Sequence, residues 1–199
     1  MNKSIKSVSI LLVFILSLVL IKEIVFSDFV GPNTIDNPVQ INVEDQTIQH
    51  IGSDGNTYEI TLLESYKGAF AIKGTKNYTT DGASVVSPKD AILAWGDLSD
   101  SKVDAHIKYS QSNRWYYFRY SGDSLVSGDY ISQHSSNTHL IPADESIAKA
   151  IKKIGKNDYV HLEGFLAIVH FSNGDWSSSL TREDTGDGAC EIFYITDVN

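Results

Sequence analysis

The chain has 199 residues, 16 basic and 25 acidic, a net charge of -9 and a single cysteine. The first 26 residues hold three lysines and one glutamate, so the remainder carries 13 basic and 24 acidic residues, net -11. A body this acidic repels phosphate backbones and anionic lipid heads, which argues against nucleic acid as a partner. Cys190, standing alone, rules out an intrachain disulfide, so the fold must rest on its core.

Residues 1–27 read as a signal-anchor. Lys3 and Lys6 precede an apolar run from Val8 to Ile21, followed by Lys22, Glu23 and Ile24-Val25-Phe26. At about 1.5 Å per residue the run covers roughly 21 Å, short of a hydrocarbon core of about 30 Å, and extension to Phe26 nearly closes the gap. Cleavage near Ser27 is the alternative. No cysteine follows the run, which removes the lipoprotein option. The charge bias sets a single pass through the cytoplasmic membrane, with the N-terminus inside and the body outside. Residues 28–38, with Gly31-Pro32-Asn33 and Asn37-Pro38, read as a linker to one domain, 39–199.

Within that domain strand patterns dominate. Val39 to Val43 and Tyr58 to Leu62 alternate with period two around a Ser53-Asp54-Gly55-Asn56 turn. Ala69 to Ile72 reads as a hairpin partner after a turn near Lys67-Gly68. Ser87-Pro88-Lys89-Asp90 has the signature of a helix start, with Gly96 ending that helix after Trp95. Ala105 to Tyr109, Arg114 to Tyr120 and Asp129 to His134 read as strands, the first two joined by a Ser110–Asn113 turn, and Asn137 to Pro142 as a loop. Asp144 caps a helix that sets Ile147, Ile151 and Ile154 on one face and ends at Gly155. Asp158 to Phe171 is a long strand with Gly164 as a bend or bulge, and Glu191 to Val198 is the last strand.

Three strands, a helix and two strands is the order of an OB-like Greek-key barrel. The expected fold is therefore mainly β (α+β): an OB-like, partly open barrel with an N-terminal β extension and two short helices, following a transmembrane helix. A β-sandwich or another α+β arrangement is the alternative.

The fifteen-residue connection from Trp176 to Cys190 is polar and long for a hairpin, as functional loops often are. Its Asp184-Thr185-Gly186 matches the aspartic-protease tripeptide, but the charged neighbours Arg182, Glu183 and Asp187 are wrong for a clamped carboxylate pair. Glu183, Asp184 and Asp187 are candidate ligands for an irregular Ca²⁺ site; the spacing fails as an EF-hand, and the plainer reading is a solvated acidic turn with no cofactor. His139 with Cys190, with Asp184, or with one of Ser177 to Ser179 would make a nucleophile–base pair of an envelope hydrolase. The pairs His134/His139 and His161/His170 lack a recognised zinc spacing. Trp115, Tyr117 and Arg119 share a face if Arg114 to Tyr120 carries no bulge, which suits stacking of a glycan or peptide. Candidate binding residues are Asn137, His139, Arg182, Asp184 and Trp115.

The set Ser87-Pro88-x-Asp90…Trp95-Gly96, Arg114-Trp115-Tyr116, Asn137-x-His139-Leu140-Ile141-Pro142 and Ser178-Ser179-Leu180-x-Arg182-x-Asp184-Thr185-Gly186-x-Gly188-Ala189-Cys190-Glu191 resembles a family of uncharacterised bacterial membrane-anchored proteins over about residues 58 to 198. The resemblance transfers no catalytic residue. It implies a bacterial source and an N-terminal anchor, and it makes the Asn137 and Asp184 segments candidates for one shared site. The expectation is a membrane-tethered extracytoplasmic module that binds a protein, peptide or glycan or supports an envelope assembly, with the hydrolase as the rival.

Overall fold

A computed structural model describes residues 34–184, 186 and 188–199. The anchor assigned to residues 1–27 and the linker up to residue 33 lie outside the described residues. Among the described residues no helix is long and apolar enough to cross a membrane.

The domain is mainly β. In chain order it comprises β1 (Val39–Ile51), β2 (Thr57–Asn77), β3 (Lys89–Ala94), α1 (Ser101–Asp104), β4 (Ile107–Ser112), β5 (Trp115–Tyr120), α2 (Gly128–Gln133), β6 (Ser135–Pro142), α3 (Glu145–Lys153), β7 (Tyr159–Phe171), β8 (Gly174–Ser177) and β9 (Glu191–Val198). Seven strands form one sheet in the order β1-β2-β3-β6-β9-β7-β8, and β7 pairs with β2 as well. The pairings of β2, β3, β6, β9 and β7 therefore close a circuit. All are antiparallel except β6 with β9. β4 and β5 form a separate hairpin.

Several expected elements fall in place. The Ser53–Asn56 turn joins β1 to β2, with Gly55 at φ 82. Asp144 caps α3, its carboxylate accepting from Ser146 N and Ile147 N, while Ile151 and Ile154 face the core. In β7 the register against β9 shifts at Glu163/Gly164. A Cβ at Gly164 would stand 2.0 Å from the Tyr194 carbonyl oxygen, so the close approach of β9 requires glycine there.

Other elements differ from expectation. Residues 57–77 form one 21-residue strand that partners β1, β3 and β7, so Lys67-Gly68 is no turn. The helix expected after Ser87-Pro88 is instead β3, buried at every position between β2 and β6. The loop expected at 137–142 is β6, a central strand buried at seven of eight positions. The strand expected at 129–134 is α2, capped by Ser127 Oγ accepting from Tyr130 N. The first strand of the hairpin runs to Ser112, and its turn is Asn113-Arg114.

The core has three parts. Tyr66, Phe70, Trp95, Leu140, Leu162 and Phe193 lie among those under α3. Ile60, Val169 and Ile192 belong to a second group, and Leu98, Ile107 and Ile131 to a third beneath the hairpin. Ile35, within the expected linker, is already buried, bridges Gly96 and donates from its amide to Ser99 Oγ at 3.0 Å.

Candidate functional site

The site begins with a strained turn. Asn113 and Arg114 both hold positive φ, 53° and 67°, as a two-residue hairpin turn demands. The turn returns Arg114 over the sheet, where its guanidinium lies 3.9 Å from the Tyr78 ring centroid. Arg114 Nε and Nη2 donate to the two oxygens of Asp81 at 2.9 and 2.7 Å, and Nη2 also donates to the Ser87 carbonyl at 2.9 Å. Nη1 donates to Asp90 Oδ1 at 2.7 Å. The Arg114 hydrogen bond holds Asp81 below the usual carboxylate range. Burial opposes the charge on Arg114, but Asp81 and Asp90 outweigh it and raise its pKa.

Asp90 on β3 is directly paired with His139 on β6. Its side chain is fully buried, and Oδ1 also accepts from His139 Nδ1 at 2.8 Å. Ionised carboxylates only accept, so Nδ1 carries the proton of this bond. The His139 ring packs 4.6 Å from Trp176. Asn137, two residues before His139 and on the same strand face, donates to Asp90 Oδ2 at 3.3 Å and to the Arg114 carbonyl at 2.8 Å, and accepts from Gln111 Nε2 at 2.8 Å. The buried charge of Asp90 thus meets three side chains from β5's entry and β6, which is what a buried carboxylate requires.

Above this hub lies a second ion pair. Glu191 opens β9, paired with Thr138 of β6. It is 1% exposed, and its Oε1 accepts from Arg182 Nη1. Arg182 Nη2 donates to Gln40 Oε1 at 3.2 Å, and its guanidinium lies 4.9 Å from the Tyr66 ring and 5.1 Å from that of Trp95. Burial pushes the Glu191 carboxyl above its ordinary value, with Arg182 opposing. Glu191 Oε2 is buried without a hydrogen-bond partner. The Ser136 hydroxyl favours the ionised form of Glu191, and the 2.9 Å Ser136–Thr138 contact, in which either hydroxyl could donate, leaves it able to do so.

Between the hairpin and the β8–β9 connection is a cavity of about 320 Å³. Its aromatic wall is Trp115 to Phe118, and its polar lining includes Arg182, Asp184, Cys190 and Glu191. β5 pairs with β4 without a bulge, so Trp115, Tyr117 and Arg119 do alternate on one face. Burial, then the Glu191 charge, pushes the Cys190 thiol up to about 12. A thiol so shifted is protonated at neutral pH and a poor nucleophile.

The structure gathers Trp115, Arg182, Asp184 and Cys190 around one cavity. Asn137 and His139 lie beneath it; Asn137 Nδ2 is 3.9 Å from Cys190 Sγ, while His139 bonds Asp90. Asp184 Oδ2 accepts from Ser179 Oγ at 2.7 Å, and Ser178 Oγ accepts from Ile192 N, so these serines brace the loop. His170 bonds Asp175 and Thr61, and the His134 ring stacks on Tyr130. Asp187 lies outside the described residues. Among the described residues no three His, Cys, Asp or Glu side chains group to hold a metal ion.

Sequence reasoning missed Asp81, Asp90, Arg114 and Glu191 as site residues. The one signal was the set of motifs quoted above: Asp90, Arg114, Asn137, His139, Arg182 and Glu191 all belong to it, and all lie in this region. No family model, curated protein or solved structure matches this chain.

Proposed function

We propose that this chain is a membrane-tethered binding module of the bacterial envelope, with its domain outside the cytoplasmic membrane and its ligand held in the cavity between the β4–β5 hairpin and the β8–β9 connection. The scaffold is read as an OB-like barrel. The order β2, β3, β6, then α3, then β7 and β9 supports it, as do the strand circuit and the glycine bulge in β7. In this reading the three segments expected as the first barrel strands are not barrel strands: the β4–β5 hairpin and α2 are an insertion between β3 and β6, β2 and β3 move from the expected N-terminal extension into the barrel, and β1 alone remains as the extension. The resemblance to membrane-anchored bacterial proteins and the apolar N-terminal run support the location.

The observation that carries binding over catalysis is the chemistry around the cavity. It has an aromatic wall and an ion-paired floor, but its thiol is held protonated, and His139, 2% exposed, is not among the described residues that line it. Concave apolar sites with a few fixed polar groups are what small ligands use.

The test is a thermal-shift screen of the full-length, detergent-solubilised protein against peptides, glycans and small organic molecules. At least one class should raise Tm, and Trp115→Leu should abolish that shift while the unliganded protein still melts cooperatively. Turnover of an ester or amide substrate that Cys190→Ala abolishes would overturn the reading.

A further inference from the structure

Taking the cavity as a ligand site, we propose that its ligand is a small molecule carrying a protonated amino group on an aromatic or otherwise apolar body, with the ammonium donating to Glu191 Oε2.

Glu191 leaves one acceptor unmet. Glu191 is 1% exposed and lines the cavity, and its Oε2 has no partner. Buried acceptors are normally satisfied, and one left open beside a cavity points to a donor from the occupant. Arg182 does not fill the gap: one of its terminal nitrogens serves Oε1, the other serves Gln40, and its flat face covers Tyr66 and Trp95. Ser136 pairs with Thr138 at 2.9 Å, with either hydroxyl as the donor, and makes no hydrogen bond to Oε2.

Charge then selects among donors. The formal charges of the lining are Arg182, positive, against Asp184 and Glu191, both negative. An anion would meet a net negative surface. A neutral hydroxyl would donate to Oε2 but leave that charge uncompensated, whereas an ammonium supplies both the donor and the charge. The burial that raises the Glu191 pKa acts in the same direction, because a cation at Oε2 restores the ionised carboxylate.

The rest of the wall fixes the body of the ligand. Trp115, Tyr116 and Phe118 line the cavity, and aromatic rings attract cations and pack against flat apolar groups. The volume of about 320 Å³ lies at the small end of the roughly 300–1,000 Å³ typical of ligand sites, enough for a ring with a short amine arm.

The experiment is isothermal titration of the full-length protein with three probes of one shape: phenethylamine, 2-phenylethanol and phenylacetate. Phenethylamine should bind at least about tenfold more tightly than the alcohol, as expected for a charge-assisted bond, and phenylacetate should not bind. Glu191→Gln should cost the amine about tenfold or more and bring amine and alcohol to similar affinity. Trp115→Leu should weaken amine and alcohol together. The amine–alcohol comparison on the unsubstituted protein needs no variant, so it stands if Glu191→Gln fails to fold. Equal or tighter binding of the alcohol or the acid would overturn the ammonium assignment while keeping the cavity as a ligand site. Binding of none of the three would overturn the assignment as well. The wider thermal-shift screen then decides the binding-module reading separately.

Discussion

Replacing Arg114 by alanine removes the only guanidinium that reaches Asp90 among the described residues, and the size of the loss can be worked from the contacts. The Arg114 and Asp90 side chains are 15% and 0% exposed. Taking one partner from a buried pair costs about 3–5 kcal/mol, because the remaining charge has lost its compensation. The bond to Asp81, whose side chain is 37% exposed, adds no more than about 1 kcal/mol after solvent screening. The Tyr78 face adds about 0.5–2 kcal/mol. These contributions share one side chain and do not sum, so the expected loss for Arg114→Ala is about 3–5 kcal/mol. Against a typical total of about 5–15 kcal/mol, that is large. Arg114→Gly serves as the backbone control: at φ 67 glycine recovers about 1 kcal/mol of left-handed strain relative to alanine. The assay is equilibrium urea unfolding followed by tryptophan fluorescence. The double substitution Arg114→Ala/Asp90→Asn should lose at least about 1 kcal/mol less than the two single losses added. Hydrogen exchange should also show β4 and β5 opening first, because the turn that fixes them has lost its anchor. A loss below about 1 kcal/mol for Arg114→Ala, or strict additivity in the double variant, would refute the hub.

Cys190 should be inert in the native state. With its thiol moved from 9.0 to about 12, the thiolate fraction at pH 8 falls about a thousandfold. Iodoacetamide should therefore label the native protein at least about a hundredfold more slowly than the urea-unfolded chain, and equal rates would refute the assignment. The same shift has a stability sign: the folded pKa lies above the unfolded one, so its contribution is complete below about pH 9 and is lost as pH rises through about 12. Cys190→Ala should lack that alkaline loss in urea titrations. Gly164→Ala should cost about 3 kcal/mol, since its Cβ would meet the Tyr194 carbonyl oxygen at 2.0 Å and the atoms it meets are backbone that cannot rotate away. In a domain of this size that lowers Tm by roughly 6–12 °C, and an unchanged melting curve would contradict the close β7–β9 approach.

What the sequence made legible were elements whose signal is local. Asp144 announces α3 because a cap and an amphipathic stripe lie within one short segment. The last strand matched Glu191–Val198, and Gly164 marked the bulge because glycine there answers a backbone contact. β3 was misread for a physical reason. Ser87-Pro88-x-Asp90 fits a helix start, and a wholly buried strand gives an unbroken apolar run that periodicity cannot separate from a buried helix. β6 was misread in the opposite sense. Its Ser135-Ser136-Asn137-Thr138-His139 stretch is polar enough to look like a loop, yet it is buried in the centre of the sheet. The grouping of Trp115, Arg182, Asp184 and Cys190 was within reach because three of the four share one connection. Asp90 with Arg114, 24 positions apart, meets only through the hairpin turn, and Asn113-Arg114 lacks the glycine that usually betrays such a turn.

The polar character of β6 also explains why the site stands where it does. A central strand that buries Asn137 and His139 needs partners for them, and those partners come from Asp90 on β3 and from Gln111 and Arg114 of the hairpin. Satisfying the strand therefore fixes the hairpin against the sheet, and with it the Trp115–Phe118 wall of the cavity. A core built only for stability would do as well with apolar residues at these positions, since buried ion pairs are costly to desolvate. An arginine kept at φ 67 in a tight turn adds backbone strain to that cost. In the proposed reading the hub is a positioning device that sets the aromatic residues of β5 across the cavity from Glu191, whose Oε2 the chain leaves without a hydrogen bond.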